Sequence, residues 1–221
     1  HLGDLCDRVR DSDAVVGFAQ DPDADRLVLV DERGVPVHEE CTLALAATWV
    51  LRHRGSGVLV ANLSTSRMID RIAQGFSGAR VVRSAVGEAN VVDAMEQSGA
   101  ILGGEGNGGV IDPEVVKVRD SITGMAMVLD LLAEEGRPLS ALVGDLPALA
   151  MVKEKRDLSS IGGRAALPEV LSAVRSAFPS GQVNDLDGVR VDLDEGWVLV
   201  RPSNTEPIVR VIAEADTKDQ A

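Results

Sequence analysis

Three aspartates at alternate positions, followed at once by an arginine, form the stretch of this sequence that most clearly points to chemistry. They are Asp21, Asp23 and Asp25, in a run that ends at Arg26. Carboxylates so close together repel one another and raise each other's pKa unless a cation holds them. We therefore expect this aspartate loop, residues 21–26, to bind a hard divalent cation, which prefers oxygen ligands.

The aspartate loop also allows two other interpretations. The first is a calcium-binding EF-hand, because the three aspartates and Glu32 match four of its ligand positions. However, Arg26 stands where that loop needs glycine, and the apolar flanks 14–19 and 27–30 are typical of strands rather than helices. The second is a solvated acidic turn that binds nothing. We place the loop between two strands.

A second candidate site is the glycine loop, residues 103–109, which has five glycines in seven residues. Core strands rarely tolerate so many glycines, so we expect a flexible loop that wraps a ligand. Glu105 and Asn107 would suit sugar hydroxyls, because both side chains accept hydrogen bonds and the amide also donates them. A simple glycine hinge is the alternative.

A third candidate site is the anion loop, residues 201–207, with Arg210 just beyond it. Its two hydroxyls, one amide and backbone N–H groups, together with two arginines, suit a tetrahedral oxyanion that arginine binds in bidentate fashion. The side chains concerned are Arg201, Ser203, Asn204 and Thr205. A turn built from Ser, Asn, Thr and Pro is the alternative.

The overall composition limits the partners that we expect. Among the 221 residues, 35 are acidic and 22 are basic, and the net charge of −13 argues against nucleic acid or an anionic membrane. Only Cys6 and Cys41 are present, too few for a disulfide scaffold, and no 18-residue apolar run or signal peptide occurs. We expect a cytoplasmic protein.

The pattern of apolar residues predicts an α/β protein. Strands and helices alternate over residues 58–102, which indicates a parallel sheet whose ligands gather at the carboxyl ends of the strands. Segments 62–66, 84–88 and 103–109 lie at such ends. Further helices are expected at 2–10, 42–53, 64–74, 89–97 and 120–135.

Three domains are expected from this order of elements. Residues 1–38 would be the end of one α/β domain, and residues 39–147 a complete α/β domain with a mainly parallel sheet. Residues 148–221 would form an α+β domain, because strands at 189–193 and 197–201 meet through a tight turn as an antiparallel hairpin.

Taken together, four motifs resemble the α-D-phosphohexomutase family, which contains phosphoglucomutases, phosphomannomutases and phosphoglucosamine mutases. The motifs are D-P-D-A-D-R at 21–26, V-G-E-A at 86–89, G-E-G-N-G-G at 104–109 and R-P-S-N-T-E-P at 201–207. In order and spacing they are similar to the family's metal loop, a loop of its third domain, its sugar loop and its phosphate loop. The resemblance covers essentially the whole chain.

The resemblance implies a role for each motif. The three aspartates would bind Mg²⁺, and Arg26 would steady the phosphate of a phosphoserine. Hexose phosphate would be the substrate, and the phosphate would move between its 1- and 6-positions through a bisphosphorylated sugar. The residues implied in substrate binding are Gly87, Glu105, Asn107, Arg201, Ser203, Asn204, Thr205 and Arg210.

Two points stay open within the resemblance. Gly109 stands where many members have histidine, and Glu88 stands where some members have a histidine used in proton transfer. The general acid/base is therefore either Glu88 or a residue of the first domain. Glucosamine phosphate is the expected substrate, with mannose or glucose phosphate as the alternatives.

The family's phosphoserine lies in a first domain, in a Ser-His-Asn-Pro type of context that this sequence does not contain. We expect that the missing N-terminal domain belongs to the same polypeptide. A non-catalytic sugar-phosphate-binding fragment is the alternative function for the 221 residues alone.

Overall fold

The chain divides into two compact units, His1–Pro147 and Ala148–Ala221, and the computed structural model describes residues 2–203 and 206–221. The elements of the first unit are α1 (Gly3–Arg10), β1 (Val16–Gln20), β2 (Leu27–Asp31), α2 (Glu40–Arg54), β3 (Val58–Asn62), α3 (Met68–Gln74), β4 (Arg80–Ser84), α4 (Glu88–Ser98), β5 (Leu102–Glu105), β6 (Gly109–Ile111), α5 (Ser121–Glu135) and α6 (Leu139–Gly144). The second unit contains β7 (Ala150–Asp157), two short 3₁₀ turns (Leu158–Ile161 and Arg164–Ala166), α7 (Leu167–Ala177), β8 (Gln182–Asn184), β9 (Val189–Asp192), β10 (Gly196–Pro202) and β11 (Ile208–Ala215).

The aspartate loop connects an antiparallel hairpin, in which Gln20 of β1 pairs with Leu27 of β2. Leu27 and Leu29 are fully buried, so the hairpin is anchored by its second strand. Strands flank the loop as predicted, and Glu32 accepts hydrogen bonds from the backbone nitrogen and hydroxyl of Ser140. The EF-hand interpretation is therefore wrong, because its flanking helices are absent from the described hairpin.

The main sheet of the first unit has the strand order β4-β3-β5-β6. Strand β3 runs parallel to β4 and β5, which confirms the predicted parallel sheet, and β6 adds an antiparallel edge. Leu59 and Ala61 of β3 pack with α2, α3 and α5, whereas Val60 packs on the opposite face with α4. Because β4 and β5 lie on opposite sides of β3, the sheet has a switch point at the carboxyl end of β3.

The second unit is an antiparallel sheet of order β7-β11-β10-β9-β8, as predicted for an α+β domain. Helix α7 covers one face of it. Alternate residues of β10 and β11, such as Val200 and Val209, pack in one cluster with Leu167 of α7. This period-two pattern is the reason that the segment folds as a sheet with one face under a helix.

Several boundaries differ from the prediction. The helix expected from residue 64 begins at Met68, because Asn62 Oδ1 accepts hydrogen bonds from the backbone and hydroxyl of Ser64 and from the hydroxyl of Thr65. These bonds hold the preceding segment in a turn. Strands β6 and β8 and helix α6 were not predicted, being short. Within residues 2–203 and 206–221, no helix combines the length and hydropathy required to cross a membrane.

Candidate functional site

The aspartate loop is a tight turn that gathers its three carboxylates. Ala24 adopts a left-handed backbone conformation with a φ of 57°, and the backbone nitrogens of Asp25 and Arg26 donate to Asp21 Oδ1 at 3.2 and 3.1 Å. Carboxylate oxygens of Asp21, Asp23 and Asp25 all lie within 4.8 Å of one another. Spacing of this kind allows one cation to contact all three residues.

Asp25 carries the clearest sign that a cation belongs here. Its Oδ1 is buried and accepts no hydrogen bond from any residue that the structure describes, and the nitrogen Nε of Arg26 lies 3.6 Å away. Burial raises the pKa of Asp25, and its contact with Asp21 and the negative charge of Asp23 raise the pKa further, although Arg119 lowers it. A buried carboxylate oxygen without a hydrogen-bond donor fits a hard cation such as Mg²⁺.

Asp21 is in the opposite electrostatic situation. Burial raises its pKa, but hydrogen bonds from the backbone nitrogens of Arg26 and Asp25 and the nearby guanidinium of Arg26 outweigh that effect. The pKa of Asp21 therefore lies below its ordinary value. Asp21 shapes the loop as an ionised acceptor.

The glycine loop and the start of α5 form hydrogen bonds with the aspartate loop and with the first residue of β2. The backbone nitrogen of Leu27 donates to the carbonyl of Gly108 at 3.1 Å, and Ser121 Oγ donates to the carbonyl of Ala24 at 2.6 Å. Gln20 Nε2 donates to the same hydroxyl at 2.6 Å. Two candidate sites that are distant in sequence are thus adjacent in the first unit.

Glu105 ends β5 and is almost completely buried, with 4% of its surface exposed. Its Oε1 accepts hydrogen bonds from Asn62 Nδ2 at 2.5 Å and from the backbone nitrogen of Gly87 at 3.1 Å. Asn62 ends β3, and Gly87 precedes α4 after β4. The carboxyl ends of three neighbouring strands therefore converge on one carboxylate, at the switch point where ligands bind in sheets of this kind.

Arg119 links this carboxylate to the aspartate loop. Its guanidinium forms ion pairs with Asp25 and Glu105, and its Nε lies 3.2 Å from Glu88 Oε2. The backbone nitrogen of Arg119 also donates to Glu88 at 2.9 Å. Only 15% of the Arg119 side chain is exposed, so one mostly buried cation contacts three carboxylates that lie in different parts of the first unit.

The glycine loop is tightly packed, which differs from the flexible loop that we expected. A Cβ atom on Gly104 would lie 2.4 Å from the carbonyl oxygen of Gly109, and one on Gly106 would lie 2.0 Å from Glu40 Oε2. Gly108 has a φ of 89°, where a side chain is strained. The glycines are needed for close approach within the β5–β6 hairpin rather than for movement.

Two further predicted residues lie beside Glu105. Asn107 is half-buried, and its Oδ1 accepts a hydrogen bond from the backbone nitrogen of Gly109 at 3.2 Å. Glu88 is the first residue of α4, and both of its described hydrogen bonds come from Arg119. The structure thus brings the predicted residues Gly87, Glu88, Glu105 and Asn107 together in one small region of the first unit.

The anion loop connects β10 to β11 in the second unit. Arg201 pairs in register with Arg210, and each has a carboxylate partner: Arg201 Nε donates to Asp187 at 2.8 Å, and Arg210 Nη2 donates to Glu206 at 2.8 Å. Arg201 is buried and Arg210 is partly exposed. Two like charges opposite each other on a ladder are unfavourable unless anions lie near them.

Ser203 is also buried, and its hydroxyl accepts a hydrogen bond from the backbone nitrogen of Glu206 at 3.3 Å. Asn204 and Thr205, the other two predicted ligands of this loop, lie outside the described residues. Their assignment stays a prediction.

Sequence reasoning did not include Arg119 or Asn62 in the site. Asn62 belongs to segment 62–66, which the sequence predicts at the carboxyl end of a strand. The position of Asn62 could therefore be predicted, but its hydrogen bond to Glu105 could not. Arg119 has no motif around it, because its function depends on contacts with residues far away in the sequence. Its single local signal is Asp120, whose carboxylate accepts hydrogen bonds from the backbone nitrogens of Ile122 and Thr123 and caps α5.

Both units contain a segment that matches the model of a known protein family. Residues 38–149 match the model of the phosphoglucomutase/phosphomannomutase alpha/beta/alpha domain III, and residues 151–221 match the C-terminal domain of the same family. These ranges together cover the glycine loop and the anion loop.

Individual relatives agree with the family match. The chain is 39% identical over its full length to a protein of Methanopyrus kandleri named a probable phosphoglucosamine mutase, and covers 48% of that protein. It is 40% identical, over 93% of its length, to a phosphoglucomutase/phosphomannomutase of Thermococcus kodakarensis, and covers 44% of it. The chain thus spans about half the length of the curated relatives it matches.

Solved structures share the fold. A phosphoglucomutase/phosphomannomutase family protein of Burkholderia thailandensis matches 99% of the chain with a TM-score of 0.84 and 27% identity, and the match covers 46% of that protein. An N-acetylphosphoglucosamine mutase of Aspergillus fumigatus, solved with GlcNAc-6P and magnesium, matches 92% of the chain and 49% of its own length, with a TM-score of 0.62 and 18% identity.

Proposed function

This chain belongs to the phosphoglucomutase/phosphomannomutase family, and we propose that the polypeptide of which it forms part is a phosphohexomutase. The reaction moves a phosphate between the 1- and 6-positions of a hexose through a bisphosphorylated sugar. The observation that carries the proposal is the convergence of β3, β4 and β5 on Glu105, joined through Arg119 to the aspartate loop. A sugar phosphate at that switch point would contact both loops.

The aspartate loop would hold Mg²⁺ through Asp21, Asp23 and Asp25. The bound ion would neutralise charge on the phosphoryl group during transfer. Support comes from the hard oxygen ligands and from the buried Oδ1 of Asp25, which accepts no hydrogen bond from the described residues. Arg26, whose side chain is about half exposed (51%), would add a cation beside the transferring phosphate.

The remaining proposed roles concern the sugar hydroxyls and the second phosphate. Glu105 and Asn107 would bind sugar hydroxyls, with Gly87 presenting its backbone nitrogen beside them. The anion loop would hold the phosphate that is not being transferred, through Arg201, Ser203, Asn204, Thr205 and Arg210. This phosphate is at the 1-position in one half of the reaction and at the 6-position in the other. A loop that binds the tetrahedral anion itself, rather than the hexose, can bind it in both cases.

Proton transfer to and from the sugar has two candidate groups. Glu88 is one candidate, and it would be able to take a proton once its contacts with Arg119 open. The other candidate lies in the domain that supplies the phosphoserine. We propose glucosamine phosphate as the substrate, because relatives from Methanopyrus and Thermococcus carry the name phosphoglucosamine mutase. Mannose and glucose phosphates are the alternatives.

The test is an assay of the full-length protein with Mg²⁺ on glucosamine, mannose and glucose phosphates in parallel. We expect turnover, highest with glucosamine phosphate, and a loss of at least about tenfold in kcat/KM for Glu105→Gln. Val118→Thr, at an exposed position, is a matched control that should retain full activity. Absence of turnover on all three sugars, with the serine intact and phosphorylated, would contradict the proposal.

A further inference from the structure

A second group of metal-ligating side chains lies on α2 and α5, outside the proposed sugar-phosphate site. His53 at the end of α2 faces Asp130 and Glu134 of α5, and one ligand atom from each lies within 4.8 Å of the others. His53 Nε2 is 2.6 Å from Glu134 Oε1 and 4.0 Å from Asp130 Oδ2. Asp130 and Glu134 are four positions apart, so they lie on the same helical face.

The protonation of His53 is defined by its second ring nitrogen. Nδ1 lies 2.8 Å from the carbonyl oxygen of Trp49, which can only accept, so Nδ1 carries a hydrogen. In a neutral ring, Nε2 would then direct a lone pair at the carboxylate of Glu134. Two acceptors at hydrogen-bond distance repel each other, so at 2.6 Å a proton lies between Nε2 and Oε1, and a metal ion that binds both atoms would displace that proton and move the two atoms apart.

The ligand orientation resembles that of a metal centre. Metal-binding histidines usually donate their other N–H to a carbonyl or carboxylate, as His53 does to Trp49. Asp130 is oriented in a comparable way, because Trp49 Nε1 donates to its Oδ2 at 2.7 Å. The three side chains are 31%, 52% and 42% exposed, so an ion can enter from solvent.

We propose that His53, Asp130 and Glu134 form a binding site for a divalent transition metal, of which Zn²⁺ is the best match, and that the ion ties α2 to α5. One imidazole nitrogen and two carboxylate oxygens suit Zn²⁺ better than Mg²⁺, which favours oxygen ligands alone. Tetrahedral ligands about 2.0–2.2 Å from Zn²⁺ stand roughly 3.4 Å apart. To reach that spacing, Glu134 Oε1 would move away from its present 2.6 Å to Nε2, Asp130 Oδ2 would move closer than its present 4.0 Å, and water would complete the shell.

Trp49 provides the readout. Its ring stacks on His53 with the centroids 4.4 Å apart, and the chain has only two tryptophans. A paramagnetic ion on His53 quenches a ring at such short range. We expect Ni²⁺ to quench part of the tryptophan fluorescence of the 221-residue chain in a saturable way, and diamagnetic Zn²⁺ to restore it by competition. Trp49→Phe should remove the quenched component.

Variants of the three ligands separate a designed site from adventitious binding. We expect His53→Gln, Asp130→Asn and Glu134→Gln each to raise the Ni²⁺ concentration at half-quenching by about tenfold or more. His38→Gln is the matched control and should leave it unchanged, since His38 lies outside the cluster. The four substitutions keep side-chain size, and circular dichroism checks that each variant is folded.

Three results would overturn the proposal. Quenching that survives His53→Gln places the metal elsewhere. Quenching that is lost in His53→Gln but unchanged in both carboxylate variants shows binding by a lone imidazole. Finally, if Zn²⁺ at pH 7.5 leaves the imidazole NMR signals of His53 unchanged, a proton alone neutralises the contact with Glu134.

Discussion

Arg119 is the residue on which the proposed site most depends electrostatically. It contacts Asp25 of the aspartate loop, Glu88 of α4 and Glu105 of β5, and its side chain is mostly buried. A partly buried ion pair adds little when it replaces apolar packing, but breaking one leaves charges without partners. Arg119 therefore allows three carboxylates to lie near the switch point without mutual repulsion dominating.

The first prediction concerns this cation. Arg119→Met keeps most of the apolar stem and removes the charge. Glu105, with 5% of its side chain exposed, then loses its described ion pair, and Asp25, with 15% exposed, keeps only the more distant Arg26 Nε at 3.6 Å. We expect the free energy of unfolding, measured with urea in EDTA, to fall by about 3–5 kcal/mol. Arg137→Met, which breaks an exposed pair with Asp145, should cause no measurable change. Equal stability of both variants would show that Arg119 does not hold the network together.

The second prediction concerns Asp25 without divalent cations. Its pKa is raised, mainly by burial and by its contact with Asp21, so the folded state binds a proton here more readily than the unfolded state. Wild-type protein should therefore gain stability from this group as the pH falls through the raised pKa towards 3.8. Asp25→Asn lacks that group, so its stability relative to wild type should be greatest near pH 7 and should decline on acidification.

The measurement is urea unfolding of wild type and Asp25→Asn from pH 7 to pH 4 in EDTA, repeated with Mg²⁺ on the full-length protein. With Mg²⁺, wild type should gain stability and Asp25→Asn should not. Asp93→Asn, at an exposed position in α4, serves as the control. A wild-type advantage over Asp25→Asn at pH 7 in EDTA would contradict the assigned repulsion.

At the scale of elements, the β5–β6 hairpin shows why composition alone misjudged a loop. Gly103 and Gly104 are strand residues, and Gly106 lies against Glu40. A glycine-rich sequence is compatible with a flexible loop, which we expected, and also with a crowded hairpin, because glycine gives freedom to the first and leaves room for neighbouring backbone in the second. What separates the two is the neighbouring backbone, which belongs to another strand.

The third prediction distinguishes a crowded hairpin from a flexible loop by the sign of the change in the free energy of unfolding. In Gly104→Ala, the new Cβ would lie 2.4 Å from the carbonyl oxygen of Gly109 and 2.5 Å from Leu43 Cδ1. We expect a loss of about 1–3 kcal/mol in urea unfolding. A flexible loop would instead gain about 0.4–1 kcal/mol, because alanine restricts the unfolded chain. Gly144→Ala, where no atom lies within 4 Å, is the control.

Local patterns in the sequence were sufficient for most elements and insufficient for the contacts between them. The continuous apolar run of β3 and the apolar pattern of residues 120–135 are local, and both strand and helix were predicted from them. The start of α3 was misjudged because the side chain of Asn62 competes for the turn. The pairing of Arg119 with Asp25 could not be predicted, since no period or spacing connects residues that only the folded sheet brings together.

For the whole molecule, the two units have separate cores, and the chain spans about half the length of its curated relatives. Recognition and transfer of phosphate need different groups. In our proposal, the anion loop would supply Arg201, which is buried and donates to Asp187, as a binding group for an oxyanion. A mutase also needs a phosphoryl donor, and the sequence contains no Ser-His-Asn-Pro type of stretch to provide one.

The fourth prediction follows from that division. By calorimetry, the 221-residue chain should bind hexose phosphate, Arg201→Ala should abolish binding, and Arg175→Ala, at an exposed ion pair with Asp185, should not change it. The same preparation should show no mutase activity, whereas the longer polypeptide with its phosphoserine should. Turnover by the 221 residues alone would place the phosphoryl donor within this chain. In that case, a residue that we have not assigned to catalysis would carry the phosphoryl group beside the aspartate loop. Such a donor is required because a metal ion held by three carboxylates does not itself supply a phosphate to transfer.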